Sequence, residues 1–417
     1  MHRSSEPSWS RPPCVSLATG TGGYRAGWSA FCRTVRSMTR HTSNQRRPEP
    51  VIDRLRKLSL VLVPLLLLSG CLVAEDPSAG RDISDEQERP ASQVLSERDD
   101  PQPINLPEDL SPHDRLTEWW YYTGHVTDDY GNLFGFQFVI FQVRRGDFPP
   151  TWAAHFAVTD TESDRFSYAE RLEVFDYHPA DQPLDLTMQD WRLQSDGDTH
   201  RITASMDGYS LDIRLDAVKP VVLHEDDGYF EFAPGSESYY YSQTRMDAAG
   251  TLTIDGEERQ VSGQAWFDQQ WGDFLVLDNI GWDWFSVQLD SGEELMAWQS
   301  HDREGNVLDG NATIVDEDGG ITDIPADELS IVARDEWISP TTGGQYPMGW
   351  TIEIPSLDIL LEVEPVMVDQ ELITLESTGV IYWEGMVTIS GEFDGREAAG
   401  LGYVELTGYA ELNLPGE

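Results

Sequence analysis

Thr117–Val143 reads TEWWYYTGHVTDDYGNLFGFQFVIFQV. Two runs rich in aromatic and β-branched residues, Thr117–Gly124 and Leu133–Val143, flank the turn-forming Asp128-Asp129-Tyr130-Gly131. Such runs suit a pleated, half-buried surface, and an Asp/Gly break between them predicts a β-hairpin. The same grammar continues in RLEVFDY (171–177), HRITASMDGYSLDIRLDAV (200–218), YYYSQTRM (239–246) and TLTIDG (251–256). Near the C-terminus Ile359, Leu361 and Val363 sit at every second position, the period of a strand with one buried face. No stretch sustains a helical period. The fold class is all-β.

The densest stretch is Gly263–Phe285, GQAWFDQQWGDFLVLDNIGWDWF, where four Trp, three Phe and four Asp fall within 23 residues. Aromatic rings bury large areas, while a carboxylate hidden among them is costly unless paired or protonated. Asp268, Asp273 and Asp283 are therefore candidate site residues, although any one of them on a strand can simply face water. A weak internal repeat frames this stretch. Ser262–Gly272 matches Ala399–Tyr409, placing Gly263 over Gly400, Trp266 over Tyr403 and Asp268 over Glu405. Trp282–Gln299 likewise follows the order of Trp119–Gln137. The repeat predicts two β domains, residues 112–276 and 277–417, with the aromatic and acidic cluster where they join. Domain junctions commonly hold pockets.

Outside the domains the chain reads as export and tether. Arg54, Arg56 and Lys57 precede the apolar run Leu58–Leu68, which is too short to span a bilayer as a stable helix. Leu68-Ser69-Gly70-Cys71 resembles a bacterial lipobox, so residues 51–70 are expected to be a lipoprotein signal peptide and Cys71 the lipidated first mature residue. Residues 1–50 are expected to be an upstream extension from a misplaced start. Residues 71–111, poor in large apolar side chains, are expected to be an acidic disordered tether with a reach of roughly 35 Å. Leu72 after the lipidated Cys directs the expected location to the cell envelope, on the periplasmic face of the outer membrane.

Cysteine use agrees, because Cys14 and Cys32 precede the signal and the mature chain keeps no thiol beyond Cys71. From Cys71 onward 17 basic residues face 71 acidic ones, a formal −54, with Lys219 the sole lysine. That charge repels phosphate backbones and excludes nucleic acid as a partner. Spread over folded segments, it is expected to be an adaptation to high salt.

Several motifs occur together in one order. They are Glu118-Trp119-Trp120-Tyr121-Tyr122-Thr123-Gly124-His125, His155 with Asp160, Ala265-Trp266-Phe267-Asp268, and Gly281-Trp282-Asp283-Trp284-Phe285. Ser339-Pro340, Tyr346-Pro347 and Trp350 follow, then Tyr382-Trp383-Glu384-Gly385 and Gly402-Tyr403 with Glu405-Leu406-Thr407-Gly408-Tyr409. Over roughly residues 112–412 this set resembles the AttH/CrtC-like proteins, which include carotenoid 1,2-hydratases and kievitone-hydratase-like enzymes. The resemblance implies two tandem lipocalin-like β-barrel domains. No His-Glu-x-x-His or closely paired His supports a metal site, and no cofactor is expected. It also implies a hydro-lyase that adds water to a C=C bond of an isoprenoid or other apolar small molecule.

Such chemistry needs a strong proton donor and stabilisation of a carbocation. An acid in an apolar pocket stays protonated near neutrality, and aromatic faces stabilise a cation without capturing it. Asp268 fits the donor, with Asp283 as a second acid and His155 as a helper. Trp119, Tyr121, Trp266, Trp271, Trp282 and Trp284 are the expected walls, with Glu118, Gln270 and Glu405 as further binding positions. One departure stands out. The hydratases carry Asp-His-Glu-Trp, whereas this chain reads Asp268-Gln269-Gln270-Trp271, and Gln cannot donate a proton as Glu can. A non-catalytic carrier of apolar ligands in the envelope is therefore the alternative. A serine hydrolase is disfavoured because no Gly-x-Ser-x-Gly elbow is present.

The charge makes a prediction of its own. The screening length grows from about 3 Å at 1 M salt to about 10 Å at 0.1 M, so self-repulsion should strengthen on dilution. The melting temperature should climb with added salt, and a Tm indifferent to ionic strength would refute the salt-adaptation reading.

Overall fold

In the computed structural model the described residues are 101–146, 148–178, 183–233, 236–274 and 280–410. The expected upstream extension, the signal peptide, Cys71 and the tether up to residue 100 lie outside them. The first sheet is built from β1 (Thr117–Asp128), β2 (Leu133–Val143), β3 (Thr151–Asp160), β4 (Arg165–Val174), β5 (Leu184–Met188) and β6 (Trp191–Ser195). It continues with β7 (Thr199–Met206), β8 (Tyr209–Ala217), β9 (Val222–Leu223), β10 (Tyr229–Ala233), β11 (Ser236–Ile254) and β12 (Glu257–Gly272). The second holds β13 (Ile280–Leu289), β14 (Glu294–Asp302), β15 (Val307–Val315), β16 (Ile321–Pro325) and β17 (Ser330–Ile338). Its remaining strands are β18 (Gln345–Ile354), β19 (Ile359–Pro365), β20 (Glu371–Thr374), β21 (Val380–Phe393) and β22 (Arg396–Thr407).

Strand order is β4-β3-β2-β1-β12-β11-β8-β7-β6-β5 in the first sheet and β16-β15-β14-β13-β22-β21-β19-β18-β17 in the second. In each, the first strand of the central hairpin pairs with the last strand in sequence, β1 with β12 and β13 with β22. The edge strands β4 and β5 also touch, curling the first sheet towards a barrel. These two barrel-like all-β sheets are the architecture that the hairpin grammar and the repeat anticipate.

Each sheet encloses its own core. In the first, Trp120, Tyr122, Phe136, Phe138, Trp191 and Phe267 point inward. In the second the inward set includes Phe285, Val287, Trp350, Leu361, Trp383 and Val404. Because strand side chains alternate, the neighbours of these residues face outward, and on β1, β2, β11 and β12 many of them are large and apolar. Tyr121, Val139, Tyr240 and Trp266 meet Trp284, Met296, Met386 and Tyr403 of the second sheet in a third apolar cluster. Close approach is possible because Gly135 of β2 lacks a side chain; a Cβ there would collide with the Tyr403 hydroxyl.

Polar contacts lock the two sheets together. A bulge in β11 between Gln243 and Met246 aims Thr244 and Arg245 across the seam. Arg245 and Lys219 both pair with Glu294, whose side chain has no exposed surface; the Lys219 Nζ contact is 2.8 Å. Gln288 Nε2 donates to the carbonyls of Thr244 (2.7 Å) and Ala265 (3.0 Å). The single lysine of the expected mature chain is thus spent on the seam.

The end of the expected tether differs from expectation. Residues 101–111 lie against the first sheet, where Leu110 is buried, Ile104 and Leu106 pack on the core, and Trp120 Nε1 donates to the Leu110 carbonyl at 2.9 Å. Three spaced apolar side chains suffice to hold it. Just beyond, the His113 ring meets the buried Glu118 at 2.7 Å and stacks on Trp271 at 4.1 Å. Burial alone would lower the His113 pKa, but the Glu118 charge and hydrogen bonds donated to Asp109 and Glu118 outweigh it and raise it to about 9.

That shift has a sign. The folded value exceeds the ordinary 6.5, so the pair's stabilisation is complete below pH 6.5 and fades as pH rises through about 9. His113→Gln should lose stability at pH 6, and the gap to wild type should close by about pH 10. Denaturant titrations at the two pH values measure it, and a gap that persists at high pH would disprove the pair's role.

Candidate active site

The seam brings carboxyl groups from both sheets into an aromatic surround. On β12, Phe267, Gln269 and Trp271 turn into the first core, so by alternation Trp266, Asp268 and Gln270 face the second sheet. Asp268 is 3% exposed. It accepts hydrogen bonds from Ser242 Oγ (2.5 Å), Trp266 Nε1 (2.6 Å) and Tyr240 OH (2.7 Å). Tyr240 OH in turn accepts from Trp284 Nε1 of the second sheet at 3.2 Å. Burial raises the Asp268 pKa to about 6, and those three donors keep it from rising further.

Facing it are Glu384 on β21 and Glu405 on β22, directly opposite each other in register. Glu384 has no exposed surface, and one of its oxygens accepts from Tyr121 OH of the first sheet at 2.8 Å. No donor reaches its other oxygen among the described residues, and Glu405 stands opposite it on β22. Two carboxyls can share a hydrogen bond only when one carries the proton. Burial and then the Glu405 charge push Glu384 well above the ordinary range, which makes it the proton carrier of the pair. Glu405 accepts from Trp282 Nε1 at 2.7 Å. Burial, partly countered by Trp282 and reinforced by Asp268, takes it to about 7.

Three carboxyls of graded acidity thus meet between two sheets. Glu405 retains some accessible surface, as do the flanking Trp119, Phe141, Trp282 and Trp298, which marks the open side. Nearby, Gln137 is buried with neither amide atom in a hydrogen bond of normal geometry. A buried amide in that state calls for a water or a polar group of a ligand.

The seam gathers Tyr121, Trp266, Asp268, Trp284 and Glu405, flanked by Trp119 and Trp282, with Gln270 bound to Ser238 Oγ at 2.7 Å. It does not gather five other expected residues around Asp268. Asp283 points into the second core beside Phe285, bound by Gln299 Nε2 (2.8 Å) and Tyr409 OH (2.8 Å), because it alternates with Trp282 and Trp284. Asp283 is therefore not the second acid beside Asp268; Glu384 and Glu405 occupy that place. His155 bonds Tyr382 OH (2.7 Å) and Ser377 Oγ (3.0 Å), not Asp268, and burial lowers its pKa to about 3. Glu118 and Trp271 face the first core, where Glu118 binds His113, Gln142 and Gln269 and Trp271 stacks between His113 and Tyr239. Asp273 pairs with Arg115 at 3.0 Å.

Sequence reasoning missed Glu384, Tyr240 and Ser242 as site residues. The signal present for Glu384 was the Tyr382-Trp383-Glu384-Gly385 motif itself; it stands opposite Glu405 as Ser242 stands opposite Asp268. Among the described residues no three His, Cys, Asp or Glu side chains are arranged to hold a metal ion.

The sequence matches the AttH-like family over residues 97–409. The structure is similar to that of an AttH-type protein from Nitrosomonas europaea, with 30% identity, a TM-score of 0.68, and coverage of 74% of this chain and 98% of that one. It also shares its fold with kievitone hydratase from Nectria haematococca, at 20% identity and a TM-score of 0.58 over 73% of this chain and 93% of the other. In sequence it is similar to dehydratase asqC of Emericella nidulans, 26% identical over 221 residues, which cover 50% of this chain and 61% of that protein.

The acidity of Asp268 can be read as stability. The folded chain holds this proton more tightly than the unfolded one between pH 3.8 and about 6, so ionising Asp268 removes stability as pH rises through that window. Asp268→Asn escapes the loss. Relative to wild type it should gain on the order of 2–3 kcal/mol on going from pH 4 to pH 8. A stability difference between the two proteins that is flat with pH would show that Asp268 titrates normally.

Proposed function

This chain belongs to the AttH-like family, and from that premise we propose that it is a hydro-lyase acting at a C=C bond of an apolar, isoprenoid-type molecule. The observation that carries the reading is the gathering of Asp268, Glu384 and Glu405 from both sheets inside an aromatic seam. A dehydratase among the relatives supports the class of reaction, although the match spans only 61% of that protein's length. The Leu68–Cys71 lipobox supports an envelope location, where an apolar substrate would be at hand.

The chemistry follows from the order of acidity. At neutral pH the Glu384–Glu405 pair holds a proton, and Asp268, with a pKa near 6, is the carboxylate. In the hydration direction the pair gives its proton to one alkene carbon, and the positive charge develops on the more substituted neighbour. The rings of Tyr121, Trp266, Trp284 and Tyr403 stabilise that charge in place of water. A water oxygen then bonds to the cation, and Asp268 takes the proton that this water releases. The same groups run dehydration in reverse, with Asp268 as donor. The sequence alone cast Asp268 as the hydration donor; its three hydrogen-bond donors instead make it the most acidic of the three carboxyls. The acid missing at Gln270 is supplied from the second sheet.

Glu384→Gln removes the shared proton but keeps the shape and the hydrogen bond from Tyr121. Turnover of an acyclic isoprenoid alkene or its tertiary alcohol should fall by about 10² or more, with affinity for an apolar fluorescent probe nearly unchanged. Asp268→Asn should behave likewise, whereas Trp284→Ala should weaken binding as well. Wild-type protein that binds a panel of such compounds and converts none of them would make it a carrier.

A further inference from the structure

Turnover changes the protonation of Asp268, yet the residue is sealed from water. The seam contains one continuous line of hydrogen bonds leading away from it. Ser242 Oγ, bound to Asp268 Oδ1 at 2.5 Å, also meets His224 Nε2 at 2.7 Å. His224 Nδ1 meets Thr313 Oγ1 at 3.1 Å, and Thr313 Oγ1 meets Asp323 Oδ1 at 3.1 Å. His224 is 2% exposed and stacks on Tyr240 at 4.1 Å, whereas Asp323 lies at the surface on the edge strand β16. The line passes from the first sheet (β12, β11 and the turn after β9) to the second (β15 and β16). We propose that Asp268 exchanges its proton with solvent along Asp268–Ser242–His224–Thr313–Asp323, with His224 as the switching element and Asp323 as the outlet. The proposal rests on the reading of Asp268 as a group that gains and loses a proton in the reaction.

Counting hydrogens supports it. The line has four hydrogen bonds. A neutral His224, Ser242 and Thr313 supply three hydrogens between them, so with both carboxyls ionised one bond is unmade. One added proton completes the line in either of two ways. With the proton on Asp268, Asp268 donates to Ser242, Ser242 to His224 Nε2, His224 Nδ1–H to Thr313, and Thr313 to the Asp323 carboxylate. With the proton on Asp323, every donor reverses and His224 carries its hydrogen on Nε2. Passage between the two states moves one proton from end to end and leaves His224 neutral before and after. No heavy atom needs to move.

The surroundings favour that neutral histidine. Burial lowers the His224 pKa to about 3, and among the described residues its ring nitrogens are bound by the hydroxyls of Ser242 and Thr313. The groups that face it are Ser242 and Tyr240 of β11 and Thr313 of β15, with Asp268 and Asp323 one hydroxyl away on either side. At the outlet, burial and the Asp226 charge, against the Thr313 hydrogen bond, raise Asp323 above the ordinary range. The two ends are thereby drawn towards similar acidity, which a reversible relay needs. Among the described residues no such line reaches Glu384: the one through His155 runs Tyr382–His155–Ser377–Glu170.

The experiment needs no substrate. At about pH 5, below the Asp268 value of about 6, the infrared carboxylic C=O band of Asp268 is identified by its loss in Asp268→Asn. Its growth after a rapid pH jump from about 8 to about 5 then gives the rate at which Asp268 gains its proton. Thr313→Val keeps the shape and cuts the line beside Asp323, and His224→Phe cuts it beside Ser242. Each should slow that protonation about tenfold or more, while backbone amide exchange on β12 stays as in wild type. Tyr240→Phe, which removes an off-line donor, should move the band's pH midpoint and leave the protonation rate alone. An unchanged rate in Thr313→Val overturns the relay even if His224→Phe fails to fold. The absence of any Asp268 band at this pH would instead overturn the reading of Asp268 as a titrating acid.

Discussion

Asp268 and Glu384 are held out of water in the seam between two sheets, and that desolvation is the constraint on which the rest of the structure depends. An ionised carboxyl in such a place is costly unless donors or protons meet it. The chain meets the cost at Asp268 with three donors from β11 and β12 and at Glu384 by keeping the proton. The surrounding rings deny the acids any other partner. Three donors reach Asp268 and one each reaches Glu384 and Glu405, which sets Asp268 apart in acidity, and the proposed division between proton giver and proton taker rests on that difference.

The seam exists because both sheets carry apolar side chains on both faces of their central strands. A barrel with a polar outer surface would stand alone. Here the outward residues of β1, β2, β11 and β12 include Tyr121, Val139, Tyr240 and Trp266, which need a partner surface as much as the inward ones do. The second sheet answers with Trp284, Met296, Met386 and Tyr403, and the Arg245–Glu294–Lys219 clasp fixes the register between them. Removing Glu294 would leave the two cations without their shared carboxylate. The positions of the three acids relative to one another therefore depend on contacts far from the chemistry.

Much of the fold was legible in the chain. The Thr117–Val143 hairpin, the every-second-residue pattern at Ile359–Val363 and the match of Ser262–Gly272 with Ala399–Tyr409 are local features, and local patterns are what a sequence displays openly. The structure places β12 and β22, which carry the two halves of that match, at corresponding positions in the two sheet orders. The site was legible in part, since Asp268, Tyr121, Trp284 and Glu405 stand in the quoted motifs. Asp283 misled because the motif places it between two tryptophans, and adjacency in a strand means opposite faces. Glu118 and Trp271 misled for the same reason, each one step out of phase with the seam.

By itself the sequence determined that the chain is all-β, that it repeats, that it is acidic and that its aromatic and carboxyl residues concentrate around residues 263–285. Those properties follow from residue type and period along the chain. Only the tertiary structure decided which acids meet, because Glu384 and Asp268 are separated by more than a hundred residues and join through the packing of two sheets rather than through any spacing. It also decided that Ser242, His224, Thr313 and Asp323 form one line, since each alone is an ordinary polar residue. Phase tells which face a strand residue takes, but which face meets which is settled by three-dimensional packing.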